Sequence, residues 1–341
     1  MLDLRRLEIL HRFAALGTIT ATAADLGYSP SAISQQLATL ERETGVALIE
    51  RSAQRASLTD AGRELAEHAA LILAAAETAQ SRMHARAGTI SGQVTLSCIP
   101  DLAPVLAPHL ARLQSRSPEL TIIARETGSL TAAAAVLDRS YDIAIIDDWS
   151  AQPGPGSGLT VHHLRREQVI LAIPDDHPVA QHRGPITAER LRHIARTQTW
   201  LCAPAGHLSR SAGDQRLAAI NATPIRRWEF EGLHVLAALA TAHAGVALLP
   251  ASIAHDQPGI TTLQLSPRMH RNILALTRTT TRDNPAIATC LHAAQQALSH
   301  QPTPGNAQDT LVTSSGSPDR GHSGQEPGLL AGLRSGDGPE L

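Results

Sequence analysis

The chain has 341 residues, enough for two or three domains, and 43% of them are apolar, which is ordinary for a globular protein. Its formal net charge is −2, and the first ninety residues hold nine arginines against ten acids, which excludes DNA binding through bulk positive charge. No apolar run approaches the roughly 20 residues that span a bilayer, and charges interrupt the N-terminal segment where a signal peptide is apolar. We therefore expect a cytoplasmic protein without a membrane segment, in which a few well-placed donors make any DNA contact.

The pattern of the first sixty residues predicts three helices followed by a short hairpin. Apolar residues recur at helical spacing, and a glycine follows each run where a helix would end. The second and third helices are joined by a glycine-containing turn, which is typical of a helix-turn-helix. The predicted elements are helix Leu4–Leu16, helix Ala21–Leu26 capped by Thr20, helix Ser31–Thr44 preceded by Ser29 as cap and Pro30, and strands Ala47–Glu50 and Ala56–Leu58 around a wing.

A long helix is expected next, capped by Thr59 and running to about Ala87. Within it, apolar residues keep the 4-3-4-3-4 spacing of a narrow coiled-coil seam, which predicts a dimer through this helix. The alternative is a helix packed on its own domain. The seam residues are Leu65, Ala69, Ile72, Ala76, Ala79 and Met83.

From Gly92 onward, strands and helices alternate, which predicts one or two parallel sheets. The expected strands are Val94–Ser97, Leu120–Ala124, Ile143–Ile146, Val169–Ile173 and Val246–Leu249, and the expected helices are Pro104–Ser115, Leu130–Asp138, Ala188–Arg196 and Leu233–His243. Beyond His300 the chain is rich in Pro, Gly, Ser and charged residues, so we expect residues 301–341 to form a disordered tail.

The first seventy residues resemble the LysR-type transcriptional regulators. The resemblance is carried by Phe13–Ala14, Gly17–Leu26, Ser29–Leu37, Leu40–Glu41, Gly45, Leu48–Arg51 and Leu58–Gly62. One departure is Ile49, where the family usually has phenylalanine. A looser resemblance extends over Val94–Pro108, Arg139–Ile145 and Ala244–Pro250.

This resemblance implies an α/β fold class: an N-terminal winged helix-turn-helix and a linker helix, then a two-lobed effector domain like a periplasmic binding protein. The chain would cross between the lobes near Val161–Arg166 and return near Leu263–Arg268. The expected domains are 1–58 (winged helix-turn-helix), 59–90 (linker and dimerisation helix) and 91–300 (effector-binding), with lobe I at 91–163 and 268–300 and lobe II at 164–267.

Polar residues outside the apolar face of the third helix are the expected DNA contacts. Serine can reach a phosphate or a base edge, and glutamine can pair with adenine in the major groove. An ordinary solvated helix face is the alternative, and the family motif favours DNA. Arg51 belongs to that motif, whereas Arg55 is inferred from its position in the wing, with simple exposure as its alternative. The expected DNA-binding residues are Thr20, Pro30, Ser31, Ser34, Gln35, Arg51 and Arg55.

The effector should bind at strand C-termini and helix N-termini that face the cleft. That rule selects Pro100, Asp101, Gly128, Ser129 and Asp147 in lobe I, and Trp200, Pro204, Phe230 and Glu231 in lobe II. The carboxylates of Asp101, Asp147 and Glu231 would repel one another there, raise at least one carboxyl pKa and favour a cationic effector. The alternatives are that Asp101 only caps a helix and that Glu231 faces water.

Two classes of function stay open for this sequence. One is a ligand-responsive regulator that binds double-stranded promoter DNA as a homodimer or tetramer. The other is an enzyme or solute carrier whose N-terminal helices serve only dimerisation. The sequence contains no Gly-x-Ser-x-Gly, Walker loop or Gly-x-Gly-x-x-Gly after a strand, so the regulator is favoured and no cofactor is predicted.

The cysteines and histidines give no sign of a metal site. Cys98, Cys202 and Cys290 have neither a disulfide framework nor metal-type spacing, and buried apolar roles are favoured over a redox switch between Cys98 and Cys202. The seventeen histidines show no pair on one helix face with a partner carboxylate, so surface or structural roles are favoured over metal binding.

Overall fold

The computed structural model describes residues 1–51, 56–88, 90–150, 158–255 and 257–299. Its first three helices are α1 (Leu4–Leu16), α2 (Ile19–Leu26) and α3 (Pro30–Thr44). Each ends at a glycine in the left-handed conformation whose N–H closes the last turn. Their apolar faces form a shared core around Leu10, Phe13 and Leu37. The predicted helix-turn-helix is present.

The cap of α2 differs from the prediction. The Thr18 hydroxyl, not that of Thr20, accepts a hydrogen bond from the Ala21 N–H at 3.1 Å. Thr18 has an extended backbone and its side chain reaches the N3 position, so the helix begins at Ile19 and Thr20 lies exposed in its first turn. Ser29 caps α3 as predicted, with Pro30 as its first residue.

A two-stranded antiparallel hairpin follows, formed by β1 (Ile49–Arg51) and β2 (Ala56–Leu58). The first strand begins later than predicted, at Ile49. The N–H groups of Leu48 and Ile49 donate to the Glu41 carboxylate, both at 2.9 Å, which connects the start of the hairpin to α3. The predicted wing contact Arg55 and the side chain of Arg51 lie outside the described residues.

The long helix α4 spans Asp60–Ala87, and Thr59 caps it as predicted. Its first half packs on α1, and Ala69 is completely buried there, so this member of the predicted seam contacts its own domain. Leu65 also packs against that core. Farther along the helix, Ile72 and Met83 are 38% and 56% exposed.

A mixed sheet dominates the rest of the chain. Its strands are β3 (Gly92–Cys98), β4 (Leu120–Glu126), β5 (Ile143–Asp148), β6 (Leu159–Pro174), β7 (Thr199–Cys202), β8 (Arg226–Glu229), β9 (Val246–Pro250), β10 (Ile260–Leu263) and β11 (Met269–Arg278). The helices of this part of the chain are α5 (Ala103–Arg116), α6 (Ser129–Leu137), α7 (Ala188–Thr197), α8 (Leu208–Ala218), α9 (Leu233–Thr241), α10 (Ala251–Ala254) and α11 (Pro285–Ser299). Single 3₁₀ turns lie at Pro100–Leu102 and Thr279–Thr281.

Two parallel groups of strands are joined by one antiparallel pair. The strand order is β4-β3-β5-β11-β6-β9-β7-β8, with β10 also beside β6. Strands β3, β4 and β5 run parallel in lobe I, as β7, β8 and β9 do in lobe II. Between them β6 and β11 run antiparallel and pass through both lobes, with an irregularity between Ile273 and Leu274. The expected two-lobed α/β fold is therefore present. The first crossing lies in β6, as expected, but the return lies in β11, which begins at Met269 and thus after the expected segment Leu263–Arg268.

Gly62 offers a test of how the linker helix meets the hairpin. A Cβ at this position would lie 2.1 Å from the Leu48 carbonyl oxygen, which also accepts the Thr59 N–H. We predict that Gly62→Ala lowers the free energy of unfolding of the full chain by about 1–3 kcal/mol in urea titrations. Gly213→Ala is the matched control in a helix, because its nearest atom would be 3.9 Å away, and it should not destabilise. Equal stability of the two variants would contradict this packing.

Candidate functional site

The third helix presents a polar face outside the core of the N-terminal domain. Ile33, Leu37 and Leu40 are buried, whereas Ser31 and Gln35 are exposed and Ser34 is half-buried. The Ser29 and Ser31 hydroxyls lie 2.9 Å apart at the start of the helix. The predicted contacts therefore share one accessible surface with the N-terminus of α3, a geometry suited to a DNA groove.

Two arginines of α1 contact residues near this surface, and no motif in the sequence selected them. The Arg6 Nε–H donates to Gln36 Oε1 at 3.1 Å, and its guanidinium also pairs with Glu43. Arg5 contacts Tyr28, with its guanidinium 5.3 Å from the ring centre. The guanidinium groups of Arg5 and Arg6 are therefore positioned by contacts with neighbouring side chains, which restrict their movement.

A cavity of about 620 Å³ lies between the two lobes. Strand ends and helix N-termini form its walls, as the α/β rule requires. Six of the predicted effector residues line it: Pro100, Asp101, Gly128, Ser129, Asp147 and Glu231. The sequence analysis missed lining residues at the starts of α8 and α9, among them His207, Leu208, Ser209 and His234.

Three predicted effector residues do not line this cavity. Trp200 is only 2% exposed, because its side chain faces the apolar core of lobe II with Leu191 and Leu217. Phe230 is 42% exposed and its N–H donates to the Cys202 carbonyl, but its side chain is not among those that line the cavity. Pro204 lies between two lining residues but is not one itself. The prediction located strand ends but not the direction of each side chain, which is why these three residues lie outside the cavity lining.

The floor of the cleft contains a buried arginine that the sequence analysis did not identify. Arg271 is 0% exposed and lies on β11. Its Nη2 is 2.6 Å from Asp101 Oδ2, its Nε is 2.6 Å from Glu167 Oε1, and its Nη1 is 3.4 Å from Asp147 Oδ2. The guanidinium also lies 5.7 Å from the centre of the Trp149 ring. Burial opposes its charge, but the three carboxylates outweigh this and hold the pKa of Arg271 above its ordinary value.

This arginine corrects the expected electrostatics of the cleft. Asp101 and Asp147 were predicted to repel each other across an acidic site, but both bind the same guanidinium. Asp147 also accepts hydrogen bonds from the Ser129 hydroxyl and the Trp149 indole, both at 2.6 Å. Glu231 is 81% exposed at the rim, 3.9 Å from His207, and takes no part in the cluster. Mutual repulsion therefore does not hold the cleft open.

Three helices begin at the cavity wall without a side-chain cap. They are α6, α8 and α9, whose preceding residues are Gly128, His207 and Gly232. Their first backbone N–H groups keep their positive partial charge on this side. The cleft thus combines partial positive charge at the helix ends with carboxylates at its floor and rim.

All three cysteines are buried. Burial raises the pKa of the Cys98 thiol to about 11 and that of the Cys290 thiol to about 12. It also raises the pKa of Cys202, although Arg210 lies 3.3 Å from the sulfur and favours the thiolate. Thiols in this condition are poor nucleophiles at neutral pH.

Within the described ranges, no group of three or more His, Cys, Asp or Glu side chains is arranged to hold a metal ion. Among the same residues, no helix combines the length and apolar character needed to cross a membrane.

Comparison with known proteins identifies the class to which this fold and these sites belong. Residues 4–63 match the family described as bacterial regulatory helix-turn-helix protein, lysR family, and residues 87–299 match the LysR substrate binding domain. The chain therefore belongs to the LysR family. It is a DNA-binding transcriptional regulator with an effector-binding domain, as its sequence motifs suggested.

Its relatives include proteins described as regulators of different processes. A probable hydrogen peroxide-inducible genes activator from Mycobacterium xenopi is 35% identical over 178 residues, covering 51% of this chain and 92% of that protein. The nitrogen assimilation regulatory protein nac of Escherichia coli is 28% identical over 261 residues, covering 76% and 81%.

A solved structure supports the fold. Full-length OxyR of Pseudomonas aeruginosa, as a variant, aligns with a TM-score of 0.65 at 21% identity, covering 89% of this chain and 99% of that one.

Removal of Arg271 should show what the buried cluster contributes. Arg271→Met would leave three carboxylates without their shared partner, so we predict a loss of about 3–5 kcal/mol of unfolding free energy in urea. The exposed Arg268→Met in the same segment is the control and should change stability by less than about 0.5 kcal/mol. A small loss at Arg271, equal to that at Arg268, would show that the cluster does not stabilise the fold.

Proposed function

We propose that this regulator binds promoter DNA as a homodimer or tetramer and that a small cationic effector in the cleft changes that binding. The proposal makes it a cytoplasmic DNA-binding protein and not an enzyme. The observation that carries it is a helix-turn-helix with an accessible polar face in the same chain as a two-lobed domain enclosing a ligand-sized cavity.

The polar face of α3 supports base recognition. Gln35 is exposed one turn after the helix start, where an amide can pair with adenine, and Ser31 and Ser34 lie beside it. Thr20 and Pro30 are exposed at the starts of α2 and α3, where contact with the phosphate backbone is expected. The wing residues Arg51 and Arg55 complete the proposed interface through their place in the sequence.

Assembly into dimers is supported by the outer half of α4. Ile72 and Met83, with the neighbouring Leu71 at 69% exposure, present apolar surface to solvent. Ala76 and Ala79 are small enough to allow close approach of a second helix. The proposed seam therefore runs from Ile72 to Met83, whereas Ala69 is occupied within its own chain.

The charge of the cleft supports a cationic effector for a different reason from the predicted repulsion. Among the described lining residues there is no arginine, while Asp101, Glu126, Asp147 and Glu231 are acidic. Three carboxylates around Arg271 leave two negative charges unmatched at the floor. An amine or guanidinium group would be attracted there, and a carboxylate on the same molecule could meet the uncapped ends of α8 and α9.

Peroxide sensing is the competing function, because the Mycobacterium xenopi relative is described as a hydrogen peroxide-inducible genes activator. A thiol-based sensor needs an accessible cysteine with a low pKa. The three cysteines of this chain are buried and their pKa values are raised. This chemistry favours a bound effector over oxidation as the signal.

Base recognition can be tested at Gln35. Gln35→Ala should weaken binding by about 1–3 kcal/mol at one base position of each half-site and relax the preference there. The measurement is a gel shift at stated salt with DNA upstream of the protein's own gene, followed by base-pair substitutions in the protected region. Gln114→Ala, a glutamine of α5 in the effector domain, is the control and should bind like the parent. Parent-like binding by the Gln35 variant would move the recognition surface elsewhere.

The effector's charge can be tested by a thermal-shift screen of amines, basic amino acids and organic acids on the full chain. A saturating cationic ligand at 100-fold excess over its Kd should stabilise by about 2.7 kcal/mol. Glu126→Gln removes a lining carboxylate and should weaken this response, while Glu119→Gln, exposed outside the cavity, should not. Stabilisation by organic acids alone would reject the cationic effector and leave the DNA-binding proposal intact.

A further inference from the structure

Two ion pairs, each formed by a buried arginine and a half-buried carboxylate, join the DNA-binding part of the chain to lobe I. In the first, Arg12 of α1 is 4% exposed and its Nη1 lies 2.8 Å from Asp138 Oδ1 and 2.9 Å from Ser140 Oγ. The Arg12 Nε–H donates to Asp25 of α2 at 2.8 Å. One guanidinium therefore connects two helices of the DNA-binding domain to the loop that follows α6.

The second pair connects the linker helix to the end of β11. Glu77 of α4 accepts from Arg278 Nε at 3.0 Å and from the Thr280 hydroxyl at 2.6 Å. Arg278 is 5% exposed and also donates to Asp142 and to the carbonyls of Val136 and Tyr141. Both pairs therefore hold the same short segment, residues 136–142, from two sides. We call Arg12, Asp138, Glu77 and Arg278 the clasp.

The backbone conformation of residues 136–142 is a second, independent indication that surrounding contacts constrain this segment. Arg139, which lies between the two pairs, has a φ of 69°, and its side chain is 3.4 Å from Glu77. A left-handed conformation at a residue with a side chain costs energy and persists only where surrounding contacts impose it. The clasp supplies those contacts.

Three elements run from the clasp to the effector cleft. Helix α6 begins at Ser129 on the cavity wall and ends one residue before Asp138, about 13 Å away at the helical rise. Strand β5 begins just after Asp142 and carries Asp147 into the cavity. Strand β11 carries Arg271 beneath the cavity and ends at Arg278. Each element therefore has one end near the cleft and the other end at or next to the clasp.

We infer that the clasp is the mechanical link through which the cleft sets the position of the DNA-binding domain. This inference rests on the proposed function for its physiological meaning. A ligand that moves Ser129 or Asp147 also moves the far ends of α6 and β5, because a packed helix and strand shift as units. The partner groups Arg12 and Glu77 then transmit the displacement to α1 and α4. The coupling is reciprocal, so loosening the clasp also loosens the cleft wall.

The test is hydrogen–deuterium exchange of the full chain without DNA or effector, so that its outcome does not depend on the proposed function. Asp138→Asn removes one charge but keeps an oxygen for the Ser140 N–H, and Glu77→Gln leaves Arg278 bound to Asp142 and two carbonyls. In each variant we expect exchange to accelerate on the order of tenfold in residues 138–142 and along α6 to its cleft end.

Asp283→Asn is the control, because Asp283 pairs with Arg82 of the same linker helix at 3.8 Å while both side chains are more than half exposed. It should leave exchange in α6 unchanged. Acceleration confined to residues 138–142, with the cleft end of α6 protected as in the parent, would overturn the inference. Equal acceleration in the control would do so as well.

Discussion

One buried guanidinium fixes the geometry on which the effector domain depends. Arg271 lies on β11, a strand that both lobes share. It binds Glu167 of the neighbouring strand β6, which also passes through both lobes, together with Asp101 and Asp147 from the cleft wall. A fully buried charge is costly unless its donors are satisfied, so these four residues form a structural unit. The cleft wall is therefore bonded to β6 and β11, the two strands that connect the lobes, so the positions of the wall and of these strands depend on each other.

The same sheet extends that constraint toward the DNA-binding domain. Arg278 lies seven positions after Arg271 on β11, so the strand carries one buried arginine under the cleft and another against the linker helix. Around both, carboxylates come from elements distant in sequence, such as Asp101 and Glu77. Paired charges along one strand therefore connect the floor of the cleft with the linker helix.

Local signals predicted the parts of this structure that local chemistry determines. The caps Ser29 and Thr59 and the glycine stops were confirmed, because a cap depends on a few adjacent residues. The prediction missed most of β6 and all of β11, whose polar residues Glu167 and Arg271 interrupt the apolar pattern of a strand. For the same reason the sequence analysis predicted an acidic cleft without its arginine, which lies 170 positions from Asp101. An ion pair between residues that are distant in the sequence produces no local pattern from which it could be predicted.

The most direct test of this account is the exchange of the Arg271 side chain with solvent. In the full chain labelled with ¹⁵N-arginine, the signal of its Nε–H is assigned by its loss in Arg271→Lys. The Nε–H donates to Glu167 at 2.6 Å in a site with no exposure, so its exchange should be at least about 100-fold slower than that of surface arginines. Exchange at the rate of exposed arginines would contradict the central role given to this residue.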